Sequence, residues 1–235
     1  MPIDKLKTAL AAVNWAKNID IFFDDTKSVE ALTAANLRLA IWARQFEIAD
    51  KGNPALAFVR EMQVASQHVA VLVALSLYKP AAGSIRSMLE TALYYSYFRT
   101  HPAELETLAR AEGYYLEKRD ILDFHKRHTL RFNELQQKLG VISRLEKWYG
   151  QVSSVVHGQI PGAWVEHKAV GEIKPIKKTQ DFAINAFVEG EDIVHRFFLC
   201  TAGTQLWDMF SSPAKKELLA GLHGDDKKAL QLDAS

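Results

Sequence analysis

The sequence predicts an all-α fold, an antiparallel bundle of helices within a single domain. Ala, Leu, Glu, Lys and Gln, which favour helices, dominate most of its 235 residues. The 12 glycines and seven prolines gather at a few places and divide the chain into helix-length segments. Within those segments apolar residues recur at helical spacing, as at Leu6, Leu10 and Val13. With 48% hydrophobic residues, the chain can bury a full core.

Four helices are predicted in the N-terminal half, each separated from the next by turn-forming residues. They cover about 4–23, 29–46, 54–78 and 80–97. The break at 51–54, Lys-Gly-Asn-Pro, has glycine before proline, the order expected after a helix end. The third helix is apolar on most sides from Val64 onward, which predicts that it is buried.

The C-terminal half is predicted to contain helices at about 103–125, 131–139, 142–158 and 180–209, and a short one from Pro213. A short irregular insertion near 159–179 separates two of them. It is interrupted by glycines and prolines and has an apolar set that could form a short extended piece, namely Val165, Val170 and Ile173. The polar residues 224–235 predict a flexible tail, so the single helical domain is expected to span 1–223.

Charge and cysteine content exclude several classes of protein. With 29 basic and 28 acidic residues the net charge is +1, so no strong global field attracts nucleic acid or membrane. The single cysteine, Cys200, fits a reducing compartment. The longest apolar run, 69–77, is far shorter than the roughly 20 residues of a membrane span. The opening residues lack the apolar core of a signal peptide, so we expect a cytoplasmic protein without membrane contact.

The sequence offers no motif for a cofactor or a metal ion. It contains no glycine-rich phosphate loop, nucleophile elbow or Cys-x2-Cys pair. Glu191 and His195 have the spacing of half a metal site, but no second pair with ligand spacing accompanies them. We therefore expect neither a metal nor a cofactor.

The first candidate site is Tyr149-x3-Ser153-x3-His157. Residues at i, i+4 and i+8 share one face of a helix. Gly158 follows at once, which places His157 at the helix C-terminus, where unpaired carbonyls favour a cation. Histidine can also transfer protons near neutral pH. The alternative is a histidine that only caps the helix or bonds to backbone.

The second candidate is the pair Arg86-x3-Glu90, again at i, i+4. It lies among apolar neighbours in the helix predicted at 80–97. Such a pair is either an ordinary surface ion pair or a buried one, and a buried pair needs further hydrogen-bond partners.

The third candidate is the most basic region of the chain, which contains Arg119-Asp120-x4-His125. An arginine and a histidine at this spacing could grip and protonate a phosphodiester. The residues proposed to contact nucleic acid are Arg119, His125, Lys126, Arg127 and Arg131. The alternative is a solvated helix face, which runs of charge commonly form.

Two of these motifs together resemble the HEPN-like superfamily. The segment 82–93, Ala-Gly-Ser-Ile-Arg-Ser-Met-Leu-Glu-Thr-Ala-Leu, and the segment 149–158 are most similar to a divergent branch with an Arg-x3-Glu helix and a Ser-x3-His-Gly helix end. The HEPN-like core would cover about 54–158. The resemblance implies an all-α, usually dimeric protein of a prokaryotic toxin or anti-phage defence system, whose active relatives are metal-independent endoribonucleases.

The chain departs from the pattern of those active relatives, which carry Arg-x4-6-His in a cleft between two subunits. Gln151 or Val152 occupies the position that would supply the arginine before His157. Arg119 and His125 match the spacing, but on an earlier helix. Either an arginine on the neighbouring helix substitutes, or the protein is a non-catalytic relative.

For an active protein, the resemblance implies cleavage of RNA by its own 2′-OH. His157 would be the general acid or base, and Arg86 would stabilise the phosphorane. Ser153 and Tyr149 would hold the phosphate, and Glu90 would orient Arg86 or His157. For an inactive protein, the same residues would form a satisfied polar network in a helical module that binds a partner protein or nucleic acid. We expect a homodimer, with RNA and a partner protein of a defence or toxin–antitoxin system as further candidate partners.

Overall fold

The computed structural model describes residues 2–165 and 167–232, and its architecture there is all-α, as predicted. The helices are α1 Ile3–Ala12, α2 Trp15–Asp24, α3 Thr26–Ala49, α4 Leu56–Ala74, α5 Tyr78–Phe98, α6 Pro102–Arg110, α7 Lys118–His128, α8 Phe132–Lys138, α9 Val141–Val156, α10 Lys177–Thr201, α11 Gly203–Asp208, α12 Ser212–Leu219 and α13 Gly224–Leu230. No strand occurs within the described ranges. Nor does any helix there have the length and apolar character needed to cross a membrane.

Helix α5 lies at the centre of the bundle, because it packs against α4, α9 and α10. A link of only three residues, 75–77, joins α4 to α5 and makes them antiparallel neighbours. Ile85, Met88 and Leu89 of α5 are buried almost completely. Burial of each such side chain contributes about 1.5–3 kcal/mol. The helix that carries Arg86 and Glu90 is therefore held firmly on its apolar sides.

A buried ion pair ties α3 to α10. Arg38 donates from Nε to Glu191 at 2.7 Å and makes a second, shorter contact through Nη2. Burial raises the pKa of Glu191 to about 7, although the hydrogen bond and charge of Arg38 oppose the shift. His195, one turn further along, accepts from Trp42 Nε1 at 3.0 Å. Glu191 and His195 thus have structural partners. No group of three or more His, Cys, Asp or Glu side chains in the described part of the chain could hold a metal ion.

Three helices predicted as continuous are each divided in the structure. The predicted helix 180–209 is one of them, since α10 ends at Thr201 and α11 begins at Gly203, which has a φ of +62°. The predicted helix 4–23 breaks at Val13, and Asn14 caps α2 by accepting from Lys17 N at 2.9 Å. The predicted helix 103–125 ends at Arg110, and a link that includes Gly113, with φ of +78°, leads to α7. Local capping and left-handed glycines outweighed helix propensity at these three points.

The C-terminal expectations also need correction. The prediction of a flexible tail is wrong for 224–230, because α13 forms there and buries Leu230. Arg131 holds this helix by donating to the carbonyl of Ala229 at 2.8 Å. The insertion between α9 and α10 is irregular, as predicted, but it contains a 3-10 turn at Val170–Glu172 where an extended piece was expected.

Candidate functional site

The structure brings Arg86 and His157 together across the α5–α9 packing. Arg86 lies in the middle of α5, and His157 is the C-cap of α9. Arg86 Nη1 and His157 Nε2 are 2.5 Å apart. Because a guanidinium only donates, His157 Nε2 is the acceptor of this hydrogen bond, which corresponds to the tautomer with its proton on Nδ1. Nδ1 has no hydrogen-bond partner among the described residues, and the side chain lies at the surface.

Local helix-end geometry explains the position of His157. The amide of Gln159 donates to the carbonyl of Ser154 at 2.9 Å, and that of Gly158 donates to Val155 at 3.2 Å. Gly158 has a φ of +66°, which completes a Schellman motif. The helix therefore stops one residue before His157 and leaves the imidazole at its end.

Glu90 links the two helices from one turn further along α5. It accepts from Arg86 Nε at 2.8 Å and from the Tyr149 hydroxyl at 2.6 Å, both at Oε1. Burial, together with the hydrogen bond to Glu90, raises the pKa of Tyr149 to about 12. Partial burial disfavours a charged Arg86, but the hydrogen bond and charge of Glu90 outweigh it and raise the pKa of Arg86. At neutral pH the site therefore holds a cationic arginine and a protonated phenol.

Two further lysines extend the positive charge around these residues. Lys118 Nζ lies 4.5 Å from the centre of the Tyr149 ring, and Arg86 Cζ lies 5.0 Å from it. Both distances are within range of a cation–π interaction. A Cβ added to Gly158 would lie 3.5 Å from Lys79 Nζ, so a third cation lies beside the end of α9.

A cleft of about 310 Å³ opens beside this cluster of charges. Arg86, Glu90, Tyr149 and Lys118 line it, and Tyr94 and Tyr115 are among its other walls. A small anion in the cleft would meet two cations, Arg86 and Lys118, which are paired with the carboxylates of Glu90 and Glu146. An oxyanion such as phosphate could bind them in place of these carboxylates.

Ser153, which was expected to help hold a phosphate, lies away from this hydrogen-bond network. Its Oγ is buried and has no hydrogen-bond partner among the described residues. In this conformation it cannot contact a ligand in the cleft. The helical spacing placed Ser153 on the face of α9 that packs against the bundle, and its hydroxyl is buried there.

The basic region around α7 does not form a second arginine–histidine site. His125 is only 2% exposed and makes contacts to Ser96 Oγ at 2.9 Å and Thr129 Oγ1 at 2.7 Å. Burial, with a smaller effect of nearby His101, lowers its pKa to about 3. The expectation that His125 contacts nucleic acid therefore conflicts with its position in the core.

The remaining basic residues of that region lie at the surface. Arg119 is 83% exposed, and Asp123 pairs with it at 3.8 Å and with Lys126 at 2.9 Å. Arg127 is also exposed. Arg131 is instead engaged with Glu134 and with α13. A polyanion could therefore contact the exposed face of α7, where Asp123 neutralises part of the positive charge.

Sequence reasoning missed Lys79 and Lys118 as neighbours of the site. Lys79 precedes Arg86 by seven residues, which is two helical turns, so their shared face was visible in the spacing. Lys118 directly precedes Arg119 of the basic region. Its approach to Tyr149 depends on how α7 packs against α5, and no local pattern shows that.

Comparison with protein-family models, with curated proteins and with solved structures found no match to this chain. What is known of the site therefore comes from its geometry, and the HEPN-like assignment remains an expectation from the motifs of α5 and α9.

Proposed function

We propose that the chain is a HEPN-like, metal-independent endoribonuclease whose site combines Arg86 of α5 with His157 of α9. The observation that carries the proposal is the 2.5 Å contact between these two side chains. This contact puts a permanent cation beside a surface imidazole, and the same arginine lines a cleft that also contains Lys118, Glu90 and Glu117. The arginine missing from α9 would thus be supplied by the neighbouring helix.

The chemistry would begin when a phosphodiester displaces the imidazole from Arg86. A charged acceptor binds a guanidinium more strongly than a neutral one, so the phosphate would take over this hydrogen bond. His157 Nε2 would then be free to accept a proton. Glu90 would keep Arg86 in place through its Nε, which is not needed for the phosphate.

Cleavage would follow by attack of the adjacent 2′-oxygen. His157 Nε2 takes the 2′-OH proton, the 2′-oxygen bonds to phosphorus, and the bond to the 5′-oxygen breaks. The 5′-oxygen leaves with a proton from water, and His157 returns its own proton to solvent. The products are a 2′,3′-cyclic phosphate and a 5′-OH. Arg86 and Lys118 stabilise the negative charge on the phosphorane.

A second function is favoured by one observation: Arg86 is already paired with Glu90 and His157 in the free protein. A network whose members are all paired can have a purely structural role, which here would be to fix the packing of α5 on α9. The chain would then be an inactive interaction module that dimerises and binds a partner protein or nucleic acid. The toxin or anti-phage setting is proposed for both functions from the resemblance alone.

RNA cleavage in the presence of EDTA separates the two functions. We expect the wild-type chain to cleave single-stranded RNA with EDTA present, and His157→Ala and Arg86→Ala each to lower the rate by roughly 10²-fold or more. His68→Ala is the matched control, because His68 is an exposed histidine of α4, remote in sequence from the site. Intact RNA with the wild-type chain, or equal rates in all variants, would favour the interaction module.

A further inference from the structure

A second cavity lies on the other side of α9, against α10. Its volume is about 350 Å³, and the irregular segment between these helices forms its third wall. The aromatic residues that line it are Trp148, Trp164 and Phe182. It shares no lining residue with the Arg86 cleft.

The floor of this cavity is rigid. Trp148 is 1% exposed, and its Nε1 donates to the carbonyl of Ala186 at 2.7 Å. Its ring packs directly on the backbone of Gly190, where an added Cβ would lie 2.4 Å from Cζ2. A side chain at position 190 would therefore displace the indole, and glycine is what allows α9 and α10 to hold it in place.

The rim of the cavity presents two more aromatic rings. Phe182 is 52% exposed, and the Lys178 ammonium lies 5.9 Å from the centre of its ring. Trp164 adopts a φ of +59°, a left-handed conformation that is a clear outlier for a bulky residue. Such conformations are energetically unfavourable and cluster at ligand sites.

Four polar side chains line the cavity, and the Ser154 hydroxyl is bonded to the carbonyl of Gln151. The other three are Gln151, Asn185 and Glu189. Each is exposed, and none makes a side-chain hydrogen bond to another residue of the described ranges. A cavity with aromatic walls and a few uncommitted polar groups has the usual character of a small-molecule site. Its volume is at the low end of the 300–1,000 Å³ typical of such sites, which suits one planar ring system.

We propose that this cavity binds a nucleobase, and that guanine is its best complement. Aromatic side chains stack on bases, and amide groups such as those of Gln151 and Asn185 pair with base edges. The Glu189 carboxylate only accepts, and it can accept two donors at once. Guanine presents two adjacent N–H donors on its Watson–Crick edge, whereas uracil presents one.

The cavity and His157 share the same helix end. Ser154 and Val155 line the cavity just before His157, and Ile160 lines it just after. Three residues of helix correspond to about 4.5 Å along its axis. The cavity lies on the α10 side of α9 and the His157 contact on the α5 side, so this axial distance does not include the width of the helix. That the base belongs to RNA rests on the proposed function, whereas binding of a base does not.

Calorimetric titration of the full chain with GMP tests the site, with AMP, UMP and inorganic phosphate as comparisons. We expect saturable binding of GMP, weaker binding of AMP and UMP, and none of phosphate at this site. Phe182→Ala should weaken GMP binding about 5- to 150-fold, the range of one lost base stack. Glu189→Gln should reduce the preference for GMP over AMP. Phe23→Ala is the matched control, because Phe23 is a 58% exposed phenylalanine outside the cavity.

The outcomes separate this proposal from the ribonuclease proposal. GMP binding without RNA cleavage would support the cavity and contradict the nuclease. RNA cleavage that Phe182→Ala leaves unchanged, with no GMP binding, would overturn the cavity alone. GMP binding that is equal in wild type, Phe182→Ala and Glu189→Gln would also overturn it, because GMP would then bind elsewhere.

Competition identifies the source of the base. A guanosine-containing oligoribonucleotide is added to the His157→Ala chain with GMP bound, and a uridine-only oligoribonucleotide serves as control. Displacement of GMP by the first but not the second would show that the cavity takes a base of RNA. Failure of both to displace it would show that the ligand is a free nucleotide.

Discussion

Two arginine–histidine pairs in the molecule differ in the burial of their histidine. His157 ends α9 at the surface and contacts Arg86, which comes from another helix. His125 matches Arg119 in spacing along α7, yet it lies in the core while Arg119 is 83% exposed. The spacing of Arg119 and His125 along one helix therefore does not produce a site. The packing of two helices, in contrast, brings Arg86 into contact with His157. Which histidine faces solvent decides where acid–base chemistry is available.

The largest expected difference between the two histidines is in their contribution to the stability of the fold. His125→Ala removes a buried ring that contacts both Ser96 and Thr129. We expect it to lower the free energy of unfolding by about 2–4 kcal/mol, through the cavity it leaves and the buried hydrogen bonds it removes. His157→Ala removes a surface ring and should change stability by no more than about 0.5 kcal/mol. Urea denaturation measures both, and equal losses would contradict the contrast.

The second prediction concerns acid. The pKa of His125 is about 3 in the folded protein, below the ordinary value of 6.5 that we expect in the unfolded chain. The unfolded state therefore binds the extra proton between pH 6.5 and 3, and stability falls as the pH falls through that window. One such group contributes roughly 1.4 kcal/mol per pH unit.

The matching experiment uses His125→Gln, which keeps a hydrogen-bonding side chain but cannot titrate. Its stability should depend less steeply on pH below 6.5 than that of the wild type, by about the slope of one group. His195 is also buried, with its pKa lowered to about 3, so part of the acid sensitivity should remain. An unchanged slope would mean that His125 is protonated or exposed in the folded state.

A smaller effect is expected at Glu90. Glu90→Gln retains an oxygen that can accept from Tyr149 but removes the charge that holds Arg86. A charge-assisted hydrogen bond is worth about 1.5–3 kcal/mol, so we expect RNA cleavage to fall about 10-fold or more while the fold persists. Glu61→Gln, at an exposed residue of α4, is the control. Full activity of Glu90→Gln would show that the charge of Glu90 does not position Arg86.

The smallest effect is expected at the exposed face of α7. Arg127→Ala should leave stability within about 0.5 kcal/mol of the wild type. If this face contacts RNA backbone, the variant should weaken binding uniformly across sequences and reduce the dependence of affinity on salt by about one counterion. Titrations at several salt concentrations measure this. Unchanged affinity and salt dependence would make the face an ordinary solvated surface.

Much of the fold could be predicted because the helices and their breaks are local. The Gly-Asn-Pro break before α4 and the Gly158 end of α9 follow from single residues with defined backbone needs. The faces of α5 and α9 were also visible, since Arg86 and Glu90, like Tyr149 and His157, repeat at helical intervals. The distance between those faces was not, because it depends on packing between segments some sixty residues apart.

The burial of His125 could have been predicted from the helical spacing of its apolar neighbours. His125 follows Ile121 by four residues and Leu122 by three, so it continues the apolar stripe of α7. Both of these residues are buried, and His125 lies beside them. The charges on either side of it suggested a surface, but periodicity predicts an inward side chain. Helical phase was here the better guide than local charge.

The claim that Arg86 and His157 act as one site is tested most directly by a double-mutant cycle on RNA cleavage. Rates are measured in EDTA for the wild type, Arg86→Ala, His157→Ala and the double variant. Residues that work as a unit lose most of their effect with the first substitution. We predict that the double variant is no more than about threefold slower than the slower single variant. Multiplicative losses in the double variant would show two independent contributions and contradict the composite site.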